Sequence, residues 1–281
     1  MVNQLNNLVT VVIPVKNEER NLPECLESVK NLKYVVVVDS GSTDSTCAIA
    51  AKFGREVVQF KWDGLFPKKR NWVLRNYIFK TPWVFFLDAD ERPSEEQFCE
   101  LSAVLPTTPH DALIMYMDNW FMGRVLKHGD SPRKTNILRL GTGEYENIDE
   151  KKWSNLDMEV NEHILVTGTV GFLRSHLEHY DRRSLDSYYQ KHNEYSSWEA
   201  RRFKAMTGSD FKRQTWRQKI KYGLIYRNKF FPFLYFIYSY FIKGGFLDGA
   251  PGFYFTLNRM FYFYQIQAKI RLLQMESGCE P

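Results

Sequence analysis

The strongest constraint in this sequence is a fourfold alternation of short apolar runs with segments of helical spacing. Residues 8–14 form a β-branched run apolar on both faces, closed by Pro14, which is the pattern of a buried parallel strand. Helical spacing follows over 17–30, with Leu22, Leu26 and Val29 on one stripe. A second apolar run, 34–38, stops at Asp39, and the turn and N-cap residues of 40–44 open a helix through Ala48, Ile49 and Phe53. A short strand over 56–60, a basic helix over 68–79 and a fourth strand over 83–87, which stops at Asp88, complete the series. This rhythm predicts an α/β chain with a mainly parallel open sheet flanked by helices, Rossmann-like in its first half. Ligands of such sheets bind beyond the carboxyl ends of the strands, so Asp39 and Asp88 are predicted to converge on one ligand.

After residue 111 the pattern loosens. Strands are predicted over 112–118, 136–140 and 164–170, with a Gly/Lys/Pro-rich stretch at 123–134 and an acidic, polar, mobile loop at 141–159. A helix is predicted over 185–205, and basic, aromatic helix follows, broken at Gly244-Gly245 and at 249–252. The expected organisation is a catalytic domain over 1–205, with halves 1–110 and 111–205, and an amphipathic helical extension over 206–281. From residue 201 on the chain carries fourteen Lys or Arg against four Asp or Glu, while the whole chain is only +5. Aromatics such as Phe230, Phe231, Phe233, Tyr235, Phe236 and Phe241 are interleaved with Lys219, Lys229 and Lys243, a composition suited to an anionic membrane surface. We expect no nucleic-acid partner. No apolar run reaches 18 residues and residues 1–7 are polar, so neither a spanning helix nor a signal peptide is expected. The four cysteines form no CxxC pair, which argues against zinc and disulfides and fits a reducing cytoplasm.

Among chemically active residues, Asp88-Ala89-Asp90-Glu91 stands out, because burying such carboxylates unpaired is costly. Oxygen ligands of this kind suit Mg2+ or Mn2+, which bridge the phosphates of a nucleotide. The alternative is a plain helix cap before residues 93–96. Asp39 can accept a nucleobase N–H or a ribose hydroxyl, or serve as a turn residue. Lys68, Lys69 and Arg70 can reach a diphosphate, with at least one of the three expected to be merely solvated. Glu162, beside His163, is a candidate base for an attacking hydroxyl. His176-Leu177-Glu178-His179 can supply a metal ligand. The absence of HExxH, GxSxG, Walker A and GxGxxG sequences removes zinc hydrolases, serine hydrolases, P-loop enzymes and dinucleotide oxidoreductases from the front rank.

Three stretches in order, residues 12–19 (VIPVKNEE), 38–44 (VDSGSTD) and 87–91 (LDADE), resemble the motifs of family 2 glycosyltransferases, which have the GT-A fold. Residues 120–124, 136–140, 160–163 and 244–249 make the chain most similar to the group of bacterial lipopolysaccharide core β-1,4-glucosyltransferases. The resemblance implies a donor pocket of Pro14, Asn17, Glu18 and Asp39, with Arg70 near the diphosphate and Asp88 at the ribose or metal. It implies metal ligation by Asp90 and His179, Mn2+ or Mg2+ as cofactor, and Glu162 as the catalytic base. The implied activity is inverting transfer from a nucleotide sugar, UDP being the family's common choice, to a lipid-linked or oligosaccharide acceptor. It would take place at the cytoplasmic face of the cell membrane, in lipopolysaccharide or surface polysaccharide synthesis. A polyprenyl-phosphate glycosyltransferase and a non-catalytic membrane-binding protein are the alternatives. The sequence departs from the family's pattern at Asn161, where a His is usual, and at Arg133-Lys134, where an acid is usual.

Overall fold

A computed structural model describes residues 2–148, 157, 164–180, 184–206, 219–220, 222–223 and 228–276. Contacts divide the chain into two compact units, one of Met1–Trp120, Ser131–Lys151 and Asn155–Arg182, the other of Phe121–Asp130, Lys152–Ser154 and Arg183–Pro281.

The first unit is the expected α/β sheet. Its first layer alternates β1 (Val9–Val15), α1 (Leu22–Ser28), β2 (Val35–Asp39), α2 (Thr46–Lys52), β3 (Glu56–Gln59), α3 (Lys69–Asn76) and β4 (Trp83–Phe86). Then come β5 (Glu91–Arg92), α4 (Glu95–Val104), β6 (Ala112–Phe121), β7 (Arg133–Arg139), β8 (Gly143–Tyr145), β9 (Ile164–Val166) and β10 (Val170–His179). The main sheet runs β3-β2-β1-β4-β7-β6-β10-β5. The first four strands are parallel, as is β10 to β6, whereas β7 is antiparallel to both its neighbours. β1 and β2 are buried at every position, as runs apolar on both faces require. Alternate residues serve two cores: Val11 and Ile13 pack with Leu22, Leu26 and Leu101, and Val12 packs with Val36, Val73 and Phe86.

Several expectations need correction. Pro14 does not end the first strand; it sits in register with Val38, and pairing continues to Val15 opposite Asp39. The predicted helix over 17–30 begins only at Leu22, because Asn17 adopts a positive φ of 56°, a turn conformation that Asn tolerates. Residues 143–145, expected in a mobile loop, form β8 and pair antiparallel with β9. The predicted strand over 164–170 is split: 164–166 belong to that two-stranded sheet, and the main-sheet strand begins at Val170. The strand predicted over 136–140 begins earlier, at Arg133.

The second unit contains α5 (Leu185–Ala205), α6 (Phe231–Ile237) and α7 (Gly249–Glu276). Its core is Ala200 and Tyr222 against Phe263, Ile266 and Ile270. Asp248, 1% exposed, accepts the Lys127 and His128 N–H groups at 3.2 and 2.9 Å. At Gly252 an added Cβ would collide with the Gly245 carbonyl, so the start of α7 needs glycine there for close approach. Among the described residues no helix is long and apolar enough to cross a membrane.

Candidate active site

The loops after β1 and β2 are zipped together by the residues expected to line a donor pocket. The Asn17 N–H donates to Ser42 Oγ at 2.8 Å, and Asn17 Oδ1 accepts the Thr43 N–H at 2.8 Å. The Glu18 N–H donates to Thr46 Oγ1 at 2.8 Å, and Glu18 Oε2 accepts from Asn21 Nδ2 at 2.9 Å. Asp39, 1% exposed at the end of β2, accepts the Gly41 and Ser42 N–H groups at 3.1 and 3.2 Å and Ser42 Oγ at 2.5 Å. Burial pushes the Asp39 carboxyl up, but hydrogen bonds from Ser42, with Cys47 and Gln59 beside it, outweigh it and hold the carboxyl below its ordinary value. Asp39 is therefore an ionised acid fixed by its own turn, at the carboxyl end of the sheet beside Val15.

The start of α3 supplies the opposite charge. Lys68, Lys69 and Arg70 are all buried, at 7%, 1% and 4% exposure, so none of them is the solvated residue expected from a basic helix. Lys69 Nζ donates to the Val15 carbonyl at 2.8 Å and lies 3.4 Å from Asp157 Oδ2, while its N–H donates to the Asp157 carbonyl at 3.1 Å. Burial drives the Lys69 ammonium below its ordinary value, with Asp157 opposing that shift. Arg70 Nη2 reaches Asp88 Oδ1 at 2.5 Å, and its guanidinium lies over the Tyr145 ring at 5.4 Å. Asn71, fully buried, spans both backbone groups of Tyr145: its Nδ2 donates to the carbonyl at 3.0 Å and its Oδ1 accepts the N–H at 2.8 Å.

The acidic motif after β4 is held from three directions. Lys134, on β7, places Nζ 2.6 Å from Asp88 Oδ2 and 2.8 Å from Glu91 Oε1. Glu91, 0% exposed, accepts the Asp88 N–H on Oε2 at 2.8 Å. Burial raises the Asp88 carboxyl, but Lys134 and then Arg70 overcome it and hold Asp88 far below the usual range. Burial likewise raises Glu91, and there Lys134 does not fully compensate. Asp90, 6% exposed, has His179 Nε2 3.4 Å from its Oδ2. The Tyr180 N–H donates to the Asp90 carbonyl at 2.6 Å, and His179 Nδ1 lies 3.3 Å from Asn119 Oδ1. His176, by contrast, pairs with Asp118 at 2.7 Å.

The structure thus brings Arg70, Asp88, Asp90 and His179 together, with Asp39 at the end of β2, beyond the intervening β1 in which Pro14 is buried. Glu162 and Asn161 lie outside the described residues. Among the described residues no group of three or more His, Cys, Asp or Glu forms a ready cation cage. The Asp90 carboxylate and the His179 imidazole fit Mn2+ or Mg2+ as a partial donor set, to be completed by phosphate oxygens and water. The sequence marks Glu91 only as a member of the acidic motif and gives Lys134 no role. The only hint in the sequence was the basic pair Arg133-Lys134 where an acid is usual.

An open α/β sheet with paired acids at its strand ends, fronted by buried cations, defines a protein built to hold an anionic ligand. Its kind follows from comparison: the profile described as Glycosyl transferase family 2 matches residues 10–181, and the chain belongs to that family. It is a glycosyltransferase. Similar proteins include the lipopolysaccharide core biosynthesis glycosyltransferase LpsC of Rhizobium meliloti, 28% identical over 90% of this chain and 88% of the relative. An uncharacterized glycosyltransferase of Rickettsia conorii is 28% identical over 70% of this chain and 71% of its own. Among solved structures, S. aureus TarS 1–349 superposes with a TM-score of 0.46 at 17% identity, covering 95% of this chain and 92% of that one. Glucosyl-3-phosphoglycerate synthase from Mycobacterium tuberculosis, in complex with Mn2+ and UDP-glucose, gives a TM-score of 0.34 at 21% identity, over 43% of this chain and 48% of that one.

Proposed function

We propose that the protein is a metal-dependent, inverting glycosyltransferase that moves a sugar from a nucleoside diphosphate donor, UDP first, to a hydroxyl of a lipid-linked glycan. The product would belong to lipopolysaccharide or another surface polysaccharide, and the enzyme would work at the cytoplasmic face of the membrane. The similarity to LpsC supports the acceptor class. The observation that carries the reading is the pairing of Asp90 with His179, 3.4 Å apart, beside the Asp88–Arg70–Lys134 cluster.

Asp39, ionised and fixed by Ser42, accepts the nucleobase imide N–H, and the tied loops of Pro14, Asn17 and Glu18 form the rest of that pocket. Asp88 takes the ribose side. Arg70 balances the diphosphate from the start of α3. Asp90 and His179 hold the divalent ion, which as a Lewis acid stabilises the departing diphosphate when bound. Glu162 removes the proton of the acceptor hydroxyl as that oxygen attacks the anomeric carbon, so configuration inverts.

The test is UDP-sugar turnover by Asp90→Ala and Glu162→Gln enzymes. Both are expected to fall at least about a hundredfold; wild-type rates in both variants refute the reading. An inactive Asp90→Ala beside an unimpaired Glu162→Gln would instead indicate a polyprenyl-phosphate acceptor, because a phosphate needs no base.

A further inference from the structure

The aromatic stripe of the C-terminal region is divided by the structure into two sets. Phe231 and Tyr235 turn inward, with ring centroids 5.2 and 4.8 Å from that of buried Phe263. Phe230, Phe233, Leu234, Ile237 and Phe241 recur at intervals of three and four, one face of a helix, and are 59%, 62%, 53%, 49% and 59% exposed. Ile242, Phe246 and Leu247, which follow in the π-helical turn and the 3-10 turn, are 72%, 57% or 47% exposed in the order Ile242, Leu247, Phe246. Half a dozen or more large apolar side chains left in water on one short segment is far beyond the scattered exposure of an ordinary soluble surface.

Charge selects the occupant. Residues 228–247 contain no Asp or Glu. The next acid, Asp248, is 1% exposed and spends its carboxylate on the Lys127 and His128 N–H groups. The two exposed cations stand at the ends of the apolar run: Lys229 Nζ lies over the Phe230 ring at 5.2 Å and Lys243 Nζ over the Tyr238 ring at 5.7 Å. An apolar face rimmed by ammonium groups and phenol rings fits the boundary between acyl chains and anionic headgroups.

We infer that α6 and the two turns after it, residues 230–247, form a wedge that inserts into one leaflet of an anionic bilayer. Phe233, Ile237, Phe241 and Ile242 enter the acyl region, and Lys229 and Lys243 contact lipid phosphates. The wedge anchors without spanning. It needs no donor or metal, so its test is independent of the sugar-transfer reading.

The experiment is co-sedimentation of the full chain with vesicles of phosphatidylglycerol and phosphatidylethanolamine, and with vesicles of phosphatidylcholine alone. Wild type is expected to pellet with the first. Phe233→Ser/Phe241→Ser is expected to lower that partition by roughly a hundredfold with little change in thermal stability, since both side chains are mostly exposed. Lys229→Glu/Lys243→Glu is expected to lower binding to the anionic vesicles by about twentyfold or more and to leave the neutral ones unaffected. Wild-type protein that stays in the supernatant, or a Ser variant that pellets like wild type, overturns the inference. So does a wild-type dimer in gel filtration that the Ser variant converts to monomer without a change in vesicle binding, because the face would then be covered by a second copy.

Discussion

Lys134→Met tests how the acidic motif is held. In the folded protein the Lys134 ammonium lies 2.6 Å from Asp88 and 2.8 Å from Glu91, and Glu91 is wholly removed from water. Deleting one partner of a buried ion pair costs about 3–5 kcal/mol. Lys134 is itself 19% exposed and Asp88 keeps Arg70, so the lower end, about 3 kcal/mol, is expected at pH 8. Glu91 can escape the penalty by taking a proton, since burial already raises its carboxyl and the variant removes the opposing cation. A carboxyl whose folded value lies above its unfolded one binds more protons in the folded state. Stability then falls as pH rises from the unfolded value of about 4.3 through the raised folded one. The loss should therefore be small near pH 5 and full near pH 8. Lys134→Met/Glu91→Gln, which leaves no stranded charge, should recover about 2 kcal/mol of it at pH 8. Urea unfolding followed by tryptophan fluorescence at both pH values reads all of these. Wild-type stability of the single variant at pH 8 refutes the argument, as does a loss equal at both pH values and untouched by Glu91→Gln.

Asp90→Asn should lower turnover at least about a hundredfold while leaving the fold intact, because the amide keeps the size of the carboxylate beside His179; calorimetry beside an activity assay checks the separation. Asn71→Ala removes two buried hydrogen bonds to the Tyr145 backbone and should cost about 2–4 kcal/mol, read from the urea midpoint. Gly252→Ala drives a methyl against the Gly245 carbonyl and should cost about 1–3 kcal/mol, seen as a lower melting temperature of the second unit. Asp39→Ala should weaken UDP binding in calorimetric titration by roughly tenfold or more, the size expected for one charged hydrogen bond.

The parallel layer was legible because its signal is local. Val9 to Val15 and Val35 to Asp39 are continuous apolar runs, and only a strand buried on both faces uses such runs next to helices of seven or eight residues. The acids at the ends of β2 and β4 follow from the same reading. Lys134 did not, because its link to Asp88 spans 46 residues and depends on β7 lying antiparallel between β4 and β6. Nothing near residue 134 encodes that register. The split near residue 166 was hidden for a similar reason: Ile164 to Val166 leave the main sheet for a private pairing with β8. Asn17 was read into a helix by the apolar spacing downstream, and its side chain instead bonds to Thr43 across two loops.

The bond from the Tyr180 N–H to the Asp90 carbonyl, with the pairing of β5 to the end of β10, bears on the order of assembly. A chain emerging from the ribosome holds every strand of the parallel layer once Phe86 is made, and neighbours in that layer are close in sequence. The Asp88 side of this turn can be tied once Lys134 is made, but the Asp90 side waits for β10 and Tyr180, far later in the chain. Under the proposed function, the strand ends assigned to the nucleotide would thus be in place, during synthesis, before the pair assigned to the cation. Asp90 gains its neighbour His179 only when β10, the last strand of the main sheet to be made, docks beside β6.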